Sequence, residues 1–407
     1  MRRSPVKIGL LLVLSILLLL PQLLVGGCKS GPPEGVEIRI GVLGGLTGPA
    51  AASVATLYDE LEKTFEYMNE VEDGIDGVQL RWRMLDNQGT PEGAITAYRE
   101  LRDTFDPHIY FTVEDYYLLG IMEEIEEDEA VLFTASTIQP ECYTPPGRFF
   151  GLSIPISDGF AGFVTWVQDD WSGTGMPRIG VLYWGDLPTG SQWQIAQPWA
   201  MQQGVELELA SYSIMAPDLQ PQLLTLREAE VDYIWMLGTY GNASVAISGV
   251  TGLGMEDIPF CFNEYVESNV LIDLIGDAAE GFYVYRSETP YSDGSEAADL
   301  YTDIWQWAGE EDKWSDNRMM ITLKAAITAV VRAAVEEVGW ADLDSAAIYD
   351  ALNSLEEIDT WGNVEGFGFG PDRRSGVSTI KIAQFTEDGT VSVSEPIVLP
   401  RTFEGVD

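Results

Sequence analysis

Apolar residues come in short blocks from Val36 onward, and the blocks alternate between two periods. Ile38 to Leu43 is a nearly unbroken apolar run of buried-strand length. Ala51 to Glu72 shifts to helical spacing, with Leu57, Leu61, Phe65 and Met68 on one face. Val78 to Leu85 reads as a strand, and Pro91 to Thr104 as a helix with proline in its first turn. Ile109 to Val113 and Val131 to Phe133 are short strands flanking an acidic helical stretch. This order predicts a mainly parallel sheet with helices on both faces.

The rhythm then restarts. Strands are predicted over 178–183, 205–212, 231–237, 258–262 and 281–285, with helices over 192–203 and 243–253. Two helical stretches follow, 295–309 and 317–338. The longer carries Met320, Leu323, Ile327, Val331 and Val335 along one stripe. Strands 378–385 and 391–398 close the chain around Glu387-Asp388-Gly389, a hairpin signal. The fold class is therefore α/β, with two α/β units in succession, as 407 residues allow.

Charge narrows the partners. Asp and Glu number 65 against 22 Lys and Arg, a formal charge of -43. Nucleic-acid binding needs clustered basic residues, so that class is excluded. The single histidine, His108, and three cysteines argue against His-rich enzymes and zinc sites.

The first segment addresses the chain outside the cytoplasm. Arg2, Arg3 and Lys7 precede an apolar run from Ile8 to Leu20, followed by Val25-Gly26-Gly27-Cys28. A basic start, a short apolar core and small residues before a cut site form a secretory signal. Small residues ahead of Cys28 resemble a lipobox, which implies lipidation of Cys28 after removal of residues 1–27. An uncleaved anchor is the alternative. Residues 28–35 (CKSGPPEG) form a short linker.

Ile40-Gly41-Val42-Leu43-Gly44-Gly45-Leu46-Thr47-Gly48-Pro49-Ala50 resembles the opening strand and loop of type I solute-binding proteins. These are the Leu/Ile/Val-binding kind that serve ABC importers. The likeness continues at Gly74 to Gly77, Asp86 to Pro91, Glu127 to Leu132, Arg178 to Leu182 and Ile382 to Phe385. The resemblance implies two three-layer α/β/α lobes joined by three crossover strands. It places lobe one at 36–153 plus 288–369 and lobe two at 154–287 plus 370–400. The crossings fall near 151–155, 287–291 and 368–372. The class is a standing example of hinge closure around a ligand. The implied role is capture of a small polar ligand, an amino acid or related amine or amide, for delivery to an ABC permease, without a cofactor. A ligand-binding subunit of a membrane sensor is the alternative.

Open parallel sheets bind ligands beyond the carboxyl ends of their strands. The loops there supply the candidates. Gly44 to Ala50 allows close backbone approach, or is only a tight turn. Where family members carry a serine-bearing loop for the ligand carboxylate, this chain has Thr112-Val113-Glu114-Asp115-Tyr116-Tyr117. Tyr116 and Tyr117 are candidate contacts, while Glu114 and Asp115 would repel a carboxylate. Thr137 and Gln139 align with positions that contact the ligand's polar head, capping of the next turn being the alternative. In the second unit the candidates are Trp184, Tyr240 and Glu264. Glu264 aligns with the acid that takes the ligand ammonium, or is a solvated loop acid. With Tyr265, these residues predict an aromatic, electronegative cleft suited to an amine. An aromatic amino acid or an amide is equally open, and several rings could simply pack.

Other signals are weak. Neither G-x-G-x-x-G nor a phosphate loop occurs. His108 opens an apolar strand, where a structural role is expected. Glu123 to Glu129 reads as a solvated helix end, and no spaced calcium loop accompanies it. Cys142 and Cys261 fall in different units and are expected as free thiols.

Overall fold

The computed structural model describes residues 32–48, 51–115, 117–187, 190–310, 313–387 and 389–402. The leader, Cys28, residues 29–31 of the linker and Tyr116 lie outside the described residues.

The first sheet holds β1 (Ile38–Gly44), β2 (Leu80–Asp86), β3 (Ile109–Thr112), β4 (Leu132–Thr134) and β5 (Phe149–Gly151). They pair in the order β2-β1-β3-β4-β5, all parallel. Alternate side chains face opposite layers, as the pleat requires. Ile40, Val42, Phe111 and Phe133 join the core that also contains Leu61 and Phe65 of α1 (Ala51–Glu70). Leu43, Tyr110, Leu132 and Phe149 point the other way. They pack with Tyr98 and Leu101 of α2 (Pro91–Phe105) and Ile125 of α3 (Met122–Glu127).

The second sheet is mixed. It holds β6 (Arg178–Trp184), β7 (Glu206–Tyr212), β8 (Tyr233–Met236), β9 (Phe260–Phe262), β10 (Tyr283–Arg286), β11 (Thr379–Thr386) and β12 (Gly389–Ser392). Their order is β12-β11-β10-β9-β8-β6-β7, with the short β13 (Ile397–Val398) on β11. Strands β6 to β10 run parallel, and β11 turns antiparallel to open the closing hairpin. The single strand expected over 391–398 is interrupted around Pro396, which has no N–H to give a ladder.

Helix α4 (Ile156–Asp170) goes beyond the expected elements, and ten of its residues, including Ser157, Asp158 and Gly159, are buried. It packs on α5 (Gly190–Gln202) and on β11 and β13. A Cβ on Gly159 would stand 2.5 Å from the Tyr285 hydroxyl, so only glycine permits this approach to the sheet. Trp235 is fully buried here, with ring centres 5.4 Å from Phe160 and 5.3 Å from Trp193. Helices α6 (Gln220–Glu228), α7 (Tyr240–Leu253) and α8 (Ser268–Ile275) complete this unit.

The late helices return to the first unit. α9 (Glu296–Trp307) and α10 (Met319–Val338) pack on α1, and α11 (Ser345–Leu352) packs on α10. The chain therefore crosses after β5, after β10 and before β11. The crossing segments interlock: Gly151 bridges Ser375, and Glu288 bridges Val364. His108 is buried beside β1, its Nδ1 accepting from the Arg39 amide at 3.2 Å, and burial pushes its pKa down to about 4. Cys142 and Cys261 are both buried free thiols.

Candidate functional site

The carboxyl ends of both sheets face one another across a cavity of about 120 Å³. The first unit lines it with Val54 and Leu57 of α1, Val113 and Glu114 after β3, Ala135, Ser136 and Ile138 after β4, and Asn317 and Met319 at the start of α10. The second unit supplies Trp184, Leu187, Ile214, Thr239, Tyr265 and Glu267. Most of this wall is hydrocarbon.

Two acids interrupt it. Glu114 is 5% exposed. Its Oε2 accepts from the Tyr58 hydroxyl at 2.8 Å, and its Oε1 has no partner. Gly45 makes room for that oxygen, since a Cβ there would stand 2.0 Å from it. Burial raises the Glu114 pKa to about 7, helped by Asp115 and Asp86 and opposed by the Tyr58 hydrogen bond. Burial likewise lifts Glu267 to about 7, against the pull of Arg286 and Lys313.

Asp115 is spent on architecture. Its Oδ2 accepts from the amides of Ile138 (2.6 Å) and Gln139 (2.9 Å) and from the Tyr143 hydroxyl, and its Oδ1 accepts from Ser136 Oγ at 2.8 Å. The loop after β4 is thus clamped to the loop after β3. Gln192, fully buried on α5, donates through Nε2 to the carbonyls of Thr137 (3.1 Å) and Ile138, tying that loop to the second unit. Its Oε1 accepts from the Ser157 amide at 2.8 Å.

The candidate residues part company here. Trp184 lines the cavity, with Nε1 donating to Asn242 Oδ1 at 3.2 Å. Tyr265 lines it as well. Tyr117 does not: it is 1% exposed on the far side of the first sheet, its hydroxyl among Asn87, Thr112 and the Leu43 carbonyl. Thr137 is buried, with Oγ1 on Ser153 and the Ile154 carbonyl, and is absent from the wall. Gln139 is buried beside the Asp115 clamp, before a short turn over Pro140–Cys142. Tyr240 opens α7, half-buried against the core and outside the wall. Among the described residues, Trp184 and Tyr265 are the expected aromatics that stand on the wall, and the rest of it is largely aliphatic.

Glu264 stands apart from the wall. Its Oε1 accepts from the Ile154 amide at 3.0 Å and its Oε2 from Ser287 Oγ at 2.7 Å. Those donors lie on two crossing segments, so the carboxylate ties both to the loop after β9 and is absent from the wall. Burial raises its pKa; Ser287 and the Ile154 amide oppose that. Arg286 locks the same loop, donating to the carbonyls of Glu264 (3.0 Å) and Val266 (2.7 Å).

A family model described as periplasmic binding protein matches residues 37–390. The chain belongs to the type I periplasmic binding protein family. No curated protein matches it. Among solved structures, a branched-chain amino acid ABC transporter protein from Thermus thermophilus with bound valine is similar at TM-score 0.79 and 19% identity. The match covers 90% of this chain and 97% of that one. A fatty acid ABC transporter substrate-binding protein from Thermomonospora curvata gives TM-score 0.77 at 17% identity, covering 93% and 96%. A leucine binding protein from Thermotoga maritima gives 0.70 at 14%, covering 89% and 99%. At such identities the likeness carries the fold.

As a periplasmic binding protein the chain is a solute binder rather than an enzyme, and it works outside the cytoplasm. Sequence reasoning passed over several residues that shape its cavity. Leu57 sits on the stripe assigned to the α1 core, and Met319 precedes the stripe of α10. Ile214 is presented by Asp186, which accepts from the Ile214 amide at 3.0 Å. That Asp186, two residues past Trp184, follows a strand was the only available signal.

Proposed function

We propose that this protein is the lipid-anchored solute-binding subunit of an ABC importer. It captures a small ligand between its lobes and hands it to a permease. The observation that carries this reading is the cavity walled by both units at the carboxyl ends of both sheets. A ligand there touches Leu57 and Glu114 on one side and Trp184 and Tyr265 on the other, so binding favours the closed pair of lobes. The lobe boundaries proposed are 36–153 plus 288–369 and 154–287 plus 370–400. Cys28 is the proposed anchor, with residues 28–35 as the tether. The similar solved structures, amino acid and fatty acid ABC transport proteins, support an importer role for this fold.

Thermal unfolding against amino acids, amines, amides, fatty acids and sugars tests the reading. A true ligand at a hundred times its Kd adds about 2.7 kcal/mol. No stabilisation by any compound contradicts it.

A further inference from the structure

We infer that the cavity takes a small organic cation, an amine with a compact apolar body and no carboxylate, whose nitrogen is held at the Glu114 carboxyl group. This rests on the solute-binding reading above and names its ligand class.

The cavity presents acceptors, and several of its donors are turned away. Ser136 Oγ donates to Asp115 at 2.8 Å. Thr239 Oγ1 and Trp184 Nε1 both donate to Asn242 Oδ1, at 3.3 and 3.2 Å. Among the described residues, no arginine or lysine lines the wall. Asn317 and Tyr265 are the other polar groups on the wall, so a ligand carboxylate would meet mostly acids and hydrocarbon.

Glu114 supplies the positive case. It is nineteen-twentieths buried, it lines the cavity, and one carboxyl oxygen lacks a partner. A buried acceptor without a partner is costly unless a ligand completes it. An ammonium does so with a charge-assisted hydrogen bond. The second acid on the wall, Glu267, adds to the same field from the other lobe. Val54, Leu57, Val113, Ile138, Ile214 and Met319 leave the rest of the ligand an aliphatic surface.

The groups facing Glu114 are Tyr58 on α1, Asp86 at the end of β2, Asp115 beside it in the chain, and Glu267 across the cavity. All are neutral or acidic, so each favours a cation. Without ligand, the Glu114 carboxyl titrates at about 7. A bound ammonium stabilises the ionised form, so amine binding near neutrality releases a proton from the carboxyl and tightens as pH rises from about 6 to 8.

The test is isothermal titration calorimetry on the purified protein with ligands of matched skeleton. Isopentylamine, leucine and isocaproate form one set; phenethylamine, phenylalanine and hydrocinnamate form another. The expected result is binding of an amine, with proton release seen as a buffer-dependent heat near pH 7, and Glu114→Gln weakening it about 100-fold. Proton release needs no variant, so it stands even if Glu114→Gln folds poorly. Binding of the amino acid or carboxylate in place of the amine overturns the inference and leaves the solute-binding reading intact. So does binding of a sugar or amide alone from the wider panel. Failure of every compound in both panels overturns both.

Discussion

Two buried acids each stand two residues past a strand, Glu114 after β3 in the first lobe and Glu264 after β9 in the second. They are 5% and 4% exposed, and burial raises the pKa of both. What separates them is what their oxygens meet. Both Glu264 oxygens accept from crossing segments, at Ile154 and Ser287. Glu114, a residue of the cavity wall, keeps one buried oxygen, packed on Gly45, without a partner. An acid at the end of a strand becomes a ligand group only when its lone pairs are left over by the fold. Burial alone does not distinguish a structural fastener from a binding residue.

The comparison can be broken most forcefully at Glu264. Glu264→Ala strands the Ile154 amide and the Ser287 hydroxyl in a buried setting, and should cost about 3 kcal/mol in urea unfolding. A loss below about 1 kcal/mol would mean the fastener is not structural. Next comes pH. Glu60, its Oε1 accepting from Tyr301 at 2.8 Å, is raised by burial to about 8. Glu114, Glu267 and Glu288 are raised to about 7. The folded chain thus holds protons that the unfolded chain releases above about pH 4.5, so these groups contribute stability at low pH that is lost as pH climbs to about 8. Glu60→Gln should gain about 2 kcal/mol over the wild type at pH 8 and much less at pH 5, measured by thermal melts. An equal difference at both pH values would contradict the shift.

Gly45→Ala sharpens the comparison from the other side. Its Cβ would drive into Glu114 Oε1, so about 2 kcal/mol should be lost. Most of that loss should vanish in a Glu114→Ala background, because the two changes share one contact. The smallest effect belongs to Glu114→Gln without ligand. At pH 5, where the folded Glu114 carboxyl is already protonated, the change should alter stability by under about 1 kcal/mol, in contrast to Glu264→Ala.

Much of the fold was legible because its signals are local. Ile38 to Leu43 and Arg178 to Tyr183 are strand-length apolar runs, and α1 and α10 carry stripes that any helical period exposes. Helices α6, α8 and α11 were hidden because eight or nine residues are too few for a periodic trace. The site was legible as a set of loops and illegible as a set of contacts. Tyr117 stands in one of those loops but rotates into the core, where Asn87 and Thr112 take its hydroxyl. Glu264 stands in another but is drawn to Ile154 and Ser287, over 20 residues away in the chain or more. Leu57 shares a stripe with core residues and still reaches the cavity. Side-chain direction at a loop is set by distant partners, which spacing does not encode.

The most direct measurement is a crystal structure of the purified protein grown with a bound amine from the matched sets. The account predicts the ligand between Leu57 and Trp184, its nitrogen within hydrogen-bond distance of the Glu114 carboxyl group, and Glu264 still fastened to Ile154 and Ser287. A ligand outside this cavity, or one whose nitrogen sits on Glu264 with Glu114 turned away, would contradict it.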